Sequence, residues 1–471
     1  MAEWLLAIRN LRRNRRRSAS TLIALALGLT TILLFSGFKS NLTYTGLTAF
    51  VRTGGHLQIQ HRDYFLYGSG NPTAFGIAGH ETLIEQIRQD PILKPLIEVT
   101  TPLLRFGGLA GNFEAGISRT VIGTGFVAAD ISRMRRWNEF DIPIHRPAFA
   151  LERTGQDAAL IGLGVARVLQ LCEPLRISDC PRPEAAGTTD VPGEVAVSLP
   201  ADIADLATAE HARNPMPAAD GGKARLELLS SGARGAPNVA TLQVVAAEDQ
   251  GFKELDEVSV MIHLAQAQRL VFGRSPPRVT AIMVLLTHTA NQAAVAARLQ
   301  QILIQHGAGQ QLVVRGFEEL NPFYVQTEQM FDVIFGFIFV LIAGIVLFTV
   351  SNTMNSAVVE RTVEIGTLRA VGLRQSGIRR LFVIEGFVLG CVGAAMGLIV
   401  AVIVGEAVNL SGITWLPPGS SERLLLQLRV LGSPQVVMGT AGALVLITAG
   451  SAWWPAWRAA KLSIVEALRH A

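Results

Sequence analysis

The residues with the most chemistry to offer lie in one stretch, Glu360–Gly397, which reads ERTVEIGTLRAVGLRQSGIRRLFVIEGFVLGCVGAAMG. Arg361, Arg369, Arg374, Arg379 and Arg380 fall here between two uncharged apolar runs. Lys and Arg in a short loop between membrane spans resist translocation, so this loop is placed in the cytoplasm. It is too short to be a catalytic domain and reads as a handle for a cytoplasmic partner. Catalytic constellations are missing from the rest of the sequence. There is no G-x-x-x-x-G-K-[ST] for ATP, no G-x-S-x-G and no H-E-x-x-H, since His80-Glu81 is followed by Thr-Leu-Ile. His56 and His61 flank a strand and read as packed or solvated histidines rather than metal ligands. The expectation is a chain that is not an enzyme, with no cofactor or metal of its own.

The elements that must position this loop are membrane helices. The chain of 471 residues is 49% hydrophobic and 17% charged, a balance that fits a membrane protein carrying a large aqueous domain. Its net charge of +4 is gathered at membrane edges, which argues for orientation and against nucleic acid. The first apolar run, Thr21–Phe38, follows Arg9, Arg12, Arg13, Arg15, Arg16 and Arg17. It has no small-residue cleavage site after it and reads as a retained span. Trp4, Leu5, Ile8 and Leu11 recur at helical spacing before it, as on an amphipathic helix against the cytoplasmic face.

Three further runs follow, giving a cytoplasmic 1–17, spans at 18–38, 333–353, 386–405 and 436–454, a cytoplasmic loop 354–385, an external loop 406–435 and a cytoplasmic 455–471. Trp453, Trp454 and Trp457 form an aromatic belt, with Arg458, Lys461 and Arg469 beyond it. No ionisable residue sits in the middle of the last three spans, which argues against an ion pathway. Gly386, Gly390, Gly393 and Gly397 make two G-x-x-x-G motifs, open between packing within one chain and packing between two.

Residues 39–332 form one large extracytoplasmic domain. A strand is expected at His56–Gln60, a helix at Glu81–Gln89 and a strand at Thr120–Gly125. A strand–helix–strand follows at Val279–Leu286, Asn291–Gln305 and Gln311–Arg315. The fold class is therefore membrane α plus periplasmic α+β. A split α/β part occupies about 39–150 and 272–316, a β-rich insertion about 151–271 and a stalk about 317–332. Within the insertion, strands are expected at Glu194–Ser198 and Thr241–Ala246, among turn-rich stretches. Cys172 and Cys180 stand open between a disulfide and two free thiols, while Cys391 reads as packing.

ERTVEIGTLRAVG, the following IRRLFVIEG and the C-terminal PAWRAAKLSIVEALR resemble the hallmark segments of the MacB/FtsX-like permeases, four-span subunits of one class of ATP-binding cassette systems. GHLQIQ, LIGLGVARVLQL and TEQMF resemble the lipoprotein-releasing branch. The resemblance implies mechanotransmission, in which a separate cytoplasmic ABC ATPase dimer, carrying ATP and Mg, drives motion in the extracytoplasmic domain. It implies a coupling helix at Glu360–Val371, with Glu360, Arg361, Val363, Glu364, Leu368 and Arg369 meeting the ATPase. Arg361 and Glu364 lie three apart on one helix face, and Val363 and Leu368 suit an apolar groove. Gly372 is expected to cap that helix and Ser376 to start the next. Ser463-x-x-Glu466 reads as a capping box.

The resemblance further implies a second permease copy, identical or paralogous, in a bacterial inner membrane with both termini cytoplasmic. It also implies a lipid- or cargo-facing surface of Phe35, Phe38, Phe331, Ile334, Phe335 and Ile338. Lipoprotein or lipid release is the first reading. The others are export of a peptide, toxin or drug with a periplasmic carrier or adaptor, and signalling to a periplasmic enzyme.

Overall fold

The computed structural model describes residues 9, 15–68, 70–143, 148–177, 180, 224–232, 237–306, 311–416 and 423–461. They divide into two units. Described residues up to 47, 321–415 and from 423 onward make one, and 48–320 with 416 make the other.

The first unit is helical. Its elements are α1 (Arg15–Gly54, whose residues beyond 47 belong to the other unit), α2 (Pro322–Glu360), α3 (Thr362–Ala370), α4 (Gln375–Ser411), α5 (Pro434–Ser451) and α6 (Trp453–Lys461). Four stretches are long and apolar enough to cross a membrane: Ser18–Gly54, Pro322–Glu360, Gln375–Ser411 and Pro434–Lys461. The apolar runs seen in the sequence are only the centres of these helices. At ~1.5 Å per residue, α2 is roughly 58 Å long, against the ~30 Å hydrocarbon core. Hydropathy marks where lipid contact ends, whereas Arg, Glu, Gln and Leu continue a helix well beyond that point. The segment 354–385 is helix for most of its length. Pro322 sits in the first turn of α2, where its missing N–H costs nothing.

The glycines settle how α4 packs. A Cβ on Gly386 would stand 2.9 Å from the Ala452 Cβ, and one on Gly390 3.0 Å from the Val445 Cα. A Cβ on Gly393 would stand 2.7 Å from the Leu25 Cβ, and one on Gly397 2.8 Å from the Ala26 carbonyl oxygen. One G-x-x-x-G pair thus seats α4 against the α5–α6 junction and the other against α1. Both motifs are used within the chain, where close backbone approach replaces the hydrophobic drive that lipid does not provide. The Thr30 hydroxyl donates to the Gly397 carbonyl at 3.0 Å along the same contact. Leu25, Leu29, Ile342, Val346, Phe382 and Leu389 belong to the core between these helices. In its most apolar window α2 is 11% buried, against 44% for α1. Cys391 is exposed on α4 and does not pack inward.

The second unit is built, among the described residues, on a nine-stranded sheet: β1 (Leu57–His61), β2 (Ile97–Asn112), β3 (Ile117–Phe126), β4 (Ala158–Gly162), β5 (Arg225–Ser231), β6 (Pro237–Glu248), β7 (Ser259–His263), β8 (Ala281–Leu286) and β9 (Leu312–Gly316), with a short separate pairing of Ile77–Ala78 and Arg278–Val279. Their order is β9-β1-β8-β2-β3-β7-β4-β6-β5, and β2 also pairs with β5. That extra pairing, Leu109–Gly111 against Leu229–Glu227, closes six of the strands on themselves and removes two sheet edges.

Two cores result. Leu104, Phe106, Val121, Ile161, Leu226 and Val260 fill the closed part. Leu57, Ile59, Leu83, Ile87, Ile282 and Leu299 pack beneath the helices His80–Gln89 and Gln292–His306. β2 and β3, from the 39–150 segment, pair with strands of the 151–271 segment, so the closed part draws on both. The strand expected at Glu194–Ser198 lies outside the described residues. Cys172 and Cys180 are joined in a disulfide with their Cα atoms 6.1 Å apart.

Candidate functional site

The α2–α3–α4 junction is made by a helix that stops, turns and restarts. α2 ends at Glu360 and Arg361 leaves helical geometry, with φ −108° and ψ 17°. α3 occupies Thr362–Ala370, inside the expected Glu360–Val371, and Glu360 belongs to the helix before it. Gly372, at φ +103°, takes the left-handed position that ends a helix. The Leu373 N–H reaches back to the Leu368 carbonyl at 3.0 Å, closing the last turn. α4 then starts at Gln375 with Arg374 as its N-cap, so Ser376 is already inside the helix and does not start it.

α3 buries Ile365 and Gly366 and leaves its other apolar side chains outside. Val363 and Leu368 are each 38% exposed, and Val371 and Leu373 beside them are also exposed. Helices in water normally turn such residues inward. Arg361 behaves differently from the rest of the expected contact set. Its Nε donates to the Glu364 carboxylate at 3.1 Å and its Nη1 to the Glu385 carboxylate at 3.3 Å. Its side chain is only 16% exposed and lies over the Phe382 ring. Glu364 is more open, and Glu360 is exposed. Glu385, the last residue of the expected 354–385 loop, is instead buried in α4. The signal was available: Phe382, Ile384, Phe387 and Leu389 surround it in sequence, so a carboxylate there needs an internal cation.

The far end of α2 carries the expected cargo-facing residues. The Phe35 ring lies 6.4 Å from Phe331 and 6.3 Å from Phe335, and Phe38 lies 6.1 Å from Phe331. Trp415 joins the group 5.8 Å from Phe38. It sits in a two-strand pairing, Thr414–Trp415 with Leu424–Leu425, inside the expected external loop 406–435. Phe335 and Ile338 also pack on the unit's core, whereas Ile334 is exposed. Lys39 and Asp332 pair beside the cluster.

In the sheet unit His56 is fully buried. Its Nδ1 accepts from the Leu286 N–H at 3.1 Å, so the ring proton sits on Nε2 and faces the Thr289 hydroxyl at 3.1 Å. That hydroxyl in turn donates to Glu139 at 2.7 Å. Burial pulls the imidazole down to about 4, with the Glu139 charge opposing. The site is a packed hydrogen-bond chain holding β1 to β8. His61 accepts from the Asp63 N–H at 3.2 Å and lies against Phe75. Among the described residues no three His, Cys, Asp or Glu converge as a metal site would require.

Residues 333–464, which contain the whole α3 junction, match the FtsX-like permease C-terminal family. The chain is similar to the ABC transporter permease YtrF of Bacillus subtilis (strain 168), 43% identical over 76 residues, or 16% of this chain and 17% of that protein. It is similar to the macrolide export ATP-binding/permease protein MacB of Escherichia coli, 31% identical over 134 residues, or 28% of this chain and 21% of that one. It is similar to the lipoprotein-releasing system transmembrane protein LolC of Neisseria meningitidis serogroup B (strain ATCC BAA-335 / MC58), 25% identical over 246 residues, or 50% of this chain and 56% of that one. The matched stretches thus span about half of the LolC relative and less of the other two.

Proposed function

We propose that this chain, which carries an FtsX-like permease domain and belongs with the MacB/FtsX-like permeases, is the membrane subunit of an ABC transporter driven by a separate cytoplasmic ATPase. The observation that carries this reading is α3: a nine-residue helix between two long apolar helices, with Val363 and Leu368 left outside its own core. A partner groove is the natural cover for such a face, and the carboxylates of Glu360 and Glu364 beside it suit basic residues on that partner. ATP and Mg reside on the ATPase, and the ATPase dimer calls for two permease copies. α2, the least buried of the four candidate spans within one chain, is the helix a second copy would cover.

Mechanotransmission is the mode proposed, with work delivered to the sheet unit and not to a pore. It is supported by apolar span centres and by helices that extend far beyond the hydrocarbon. The Cys172–Cys180 disulfide fits an oxidising compartment, which supports a sheet unit outside the cytoplasm and α3 inside, in a bacterial inner membrane. Lipoprotein or lipid release is the cargo class proposed, with the Phe35–Phe331–Phe335 cluster receiving acyl chains.

Co-purification of the tagged chain with the ATPase encoded beside it tests the reading, wild type against Glu364→Arg. Stoichiometric capture by the wild type and its loss in the variant support it. A wild-type chain that purifies alone from membranes containing that ATPase contradicts it.

A further inference from the structure

Resting on the reading of α3 as the ATPase-binding helix, we infer that Glu385 is the positioning residue of that helix and that Arg361 is its strut rather than a contact for the ATPase. Arg361 stands at the one non-helical residue between α2 and α3. The backbone links the two helices at this residue: the Arg361 N–H donates to the Ala357 carbonyl at 3.2 Å and the Arg361 carbonyl accepts from the Ile365 N–H at 2.9 Å. These bonds tie α3 to α2 but not to α4, and the guanidinium supplies that second tie. Its planar fork spans two carboxylates, Glu364 on α3 at 3.1 Å and Glu385 on α4 at 3.3 Å, so one side chain ties the junction to both helices that leave it.

Burial separates the two partners. Glu385 is 6% exposed at its side chain and Glu364 is 42% exposed. The Glu385 end is therefore the fixed one. Phe382, itself buried one turn earlier in α4, lies beneath the guanidinium, and Gly386, the next residue, is locked against Ala452. The anchor thus sits on the most tightly packed stretch of α4. Neutral side chains would fill this space without desolvating two charges. What an ion pair adds is direction: a fork with one good geometry holds α3 at one angle, where apolar packing tolerates several. With the strut made, Arg361 is turned inward and Val363 and Leu368 are presented outward.

The two roles for Arg361 predict opposite signs. If it met the ATPase directly, neutralising Glu385 would release it towards that partner and binding would hold or tighten. If it is a strut, the same change loosens α3 and weakens binding. The experiment joins two measurements on the full chain with Cys391 replaced by Ser. The first is the distance distribution between spin labels at Val359→Cys and Val371→Cys, exposed positions on either side of the junction, read without ATPase. The second is the affinity for the ATPase encoded beside the chain.

Glu385→Gln is expected to broaden the distribution and weaken ATPase binding about tenfold or more, the scale for breaking one partner of a buried pair. Glu364→Gln unties the half-exposed α3 end but keeps the buried pair, and is expected to broaden the distribution less than Glu385→Gln does. Arg361→Lys keeps the charge, loses the fork, and is expected to broaden the distribution in a chain that still folds, which preserves the test if Glu385→Gln does not. A distribution as narrow as wild type in Glu385→Gln or Arg361→Lys overturns the strut, as does unchanged or tighter binding in Glu385→Gln. A wild-type chain that binds no ATPase removes the functional reading instead, and the distribution still decides the strut.

Discussion

The two ends of α2 solve opposite problems with opposite residues. At its Phe331 end, aromatic rings from α1, α2 and the Trp415 pairing cover one another, and the cluster is apolar and non-directional. At its Glu360 end, a guanidinium between two carboxylates fixes the turn, while apolar side chains on α3 remain uncovered. Rings in contact accept stacked, tilted and edge-on arrangements that lie close in energy, and all three occur here. A forked ion pair accepts one. On the proposed reading, the comparison teaches that the α3 end presents a surface at a set angle, whereas the Phe331 end can rearrange around cargo.

Four experiments break or sharpen that contrast. The largest effect is expected where both ends depend on the same packing. Gly397→Leu would drive a side chain into the Ala26 backbone on α1, and overpacking against backbone costs about 3 kcal/mol or more. Thermal unfolding in detergent should show a much less stable chain; wild-type melting would mean the α1–α4 contact is not the frame that holds the two ends.

Next comes acid. His56 lies near 4 in the folded sheet unit and near its ordinary 6.5 when unfolded, so the unfolded state binds the extra proton first. The stability this neutral histidine allows is intact above about pH 6.5 and is lost as pH falls towards 4, amounting to about 3 kcal/mol. Denaturation of the sheet unit followed between pH 7 and pH 4 should show that slope, and His56→Gln should flatten it. A slope unchanged by the substitution would locate the acid sensitivity elsewhere.

A smaller effect is expected at α3 itself. Leu368→Glu places a charge on the presented surface, and a contact of that kind is worth about 2 kcal/mol, or roughly thirtyfold in ATPase affinity. Expression and melting should stay as in wild type. Smallest of all, Phe38→Ala should lower stability by about 1 kcal/mol, the scale of its aromatic contacts, and leave ATPase binding untouched. Weaker ATPase binding in Phe38→Ala would erase the distinction between the ends.

Much of this was legible in the sequence. Apolar runs located the four spans, and period-2 and period-3.6 patterns placed β1, β3, β6, β8, β9 and the helices His80–Gln89 and Gln292–His306. Helix ends were less legible there: the stalk expected at 317–332 contains the start of α2, but elsewhere hydropathy marks only the apolar centres, and the helices continue through polar residues beyond them. The closure of β2 onto β5 was equally hidden, because pairing between Leu109 and Leu229 is a long-range fact with no local pattern. At the junction, the Arg361–Glu364 spacing was readable as one helix face. The Arg361–Glu385 pair was not, since helical spacing links residues three or four apart and these two meet only when α2 and α4 fold side by side.

The most direct test of the central claim is photo-crosslinking in intact membranes, with a photoreactive residue placed at Leu368 and, separately, at Phe38. The account predicts an adduct to the ATPase from Leu368 and none from Phe38. An ATPase adduct from Phe38, or none from Leu368 in membranes where the two proteins are both present, would contradict it.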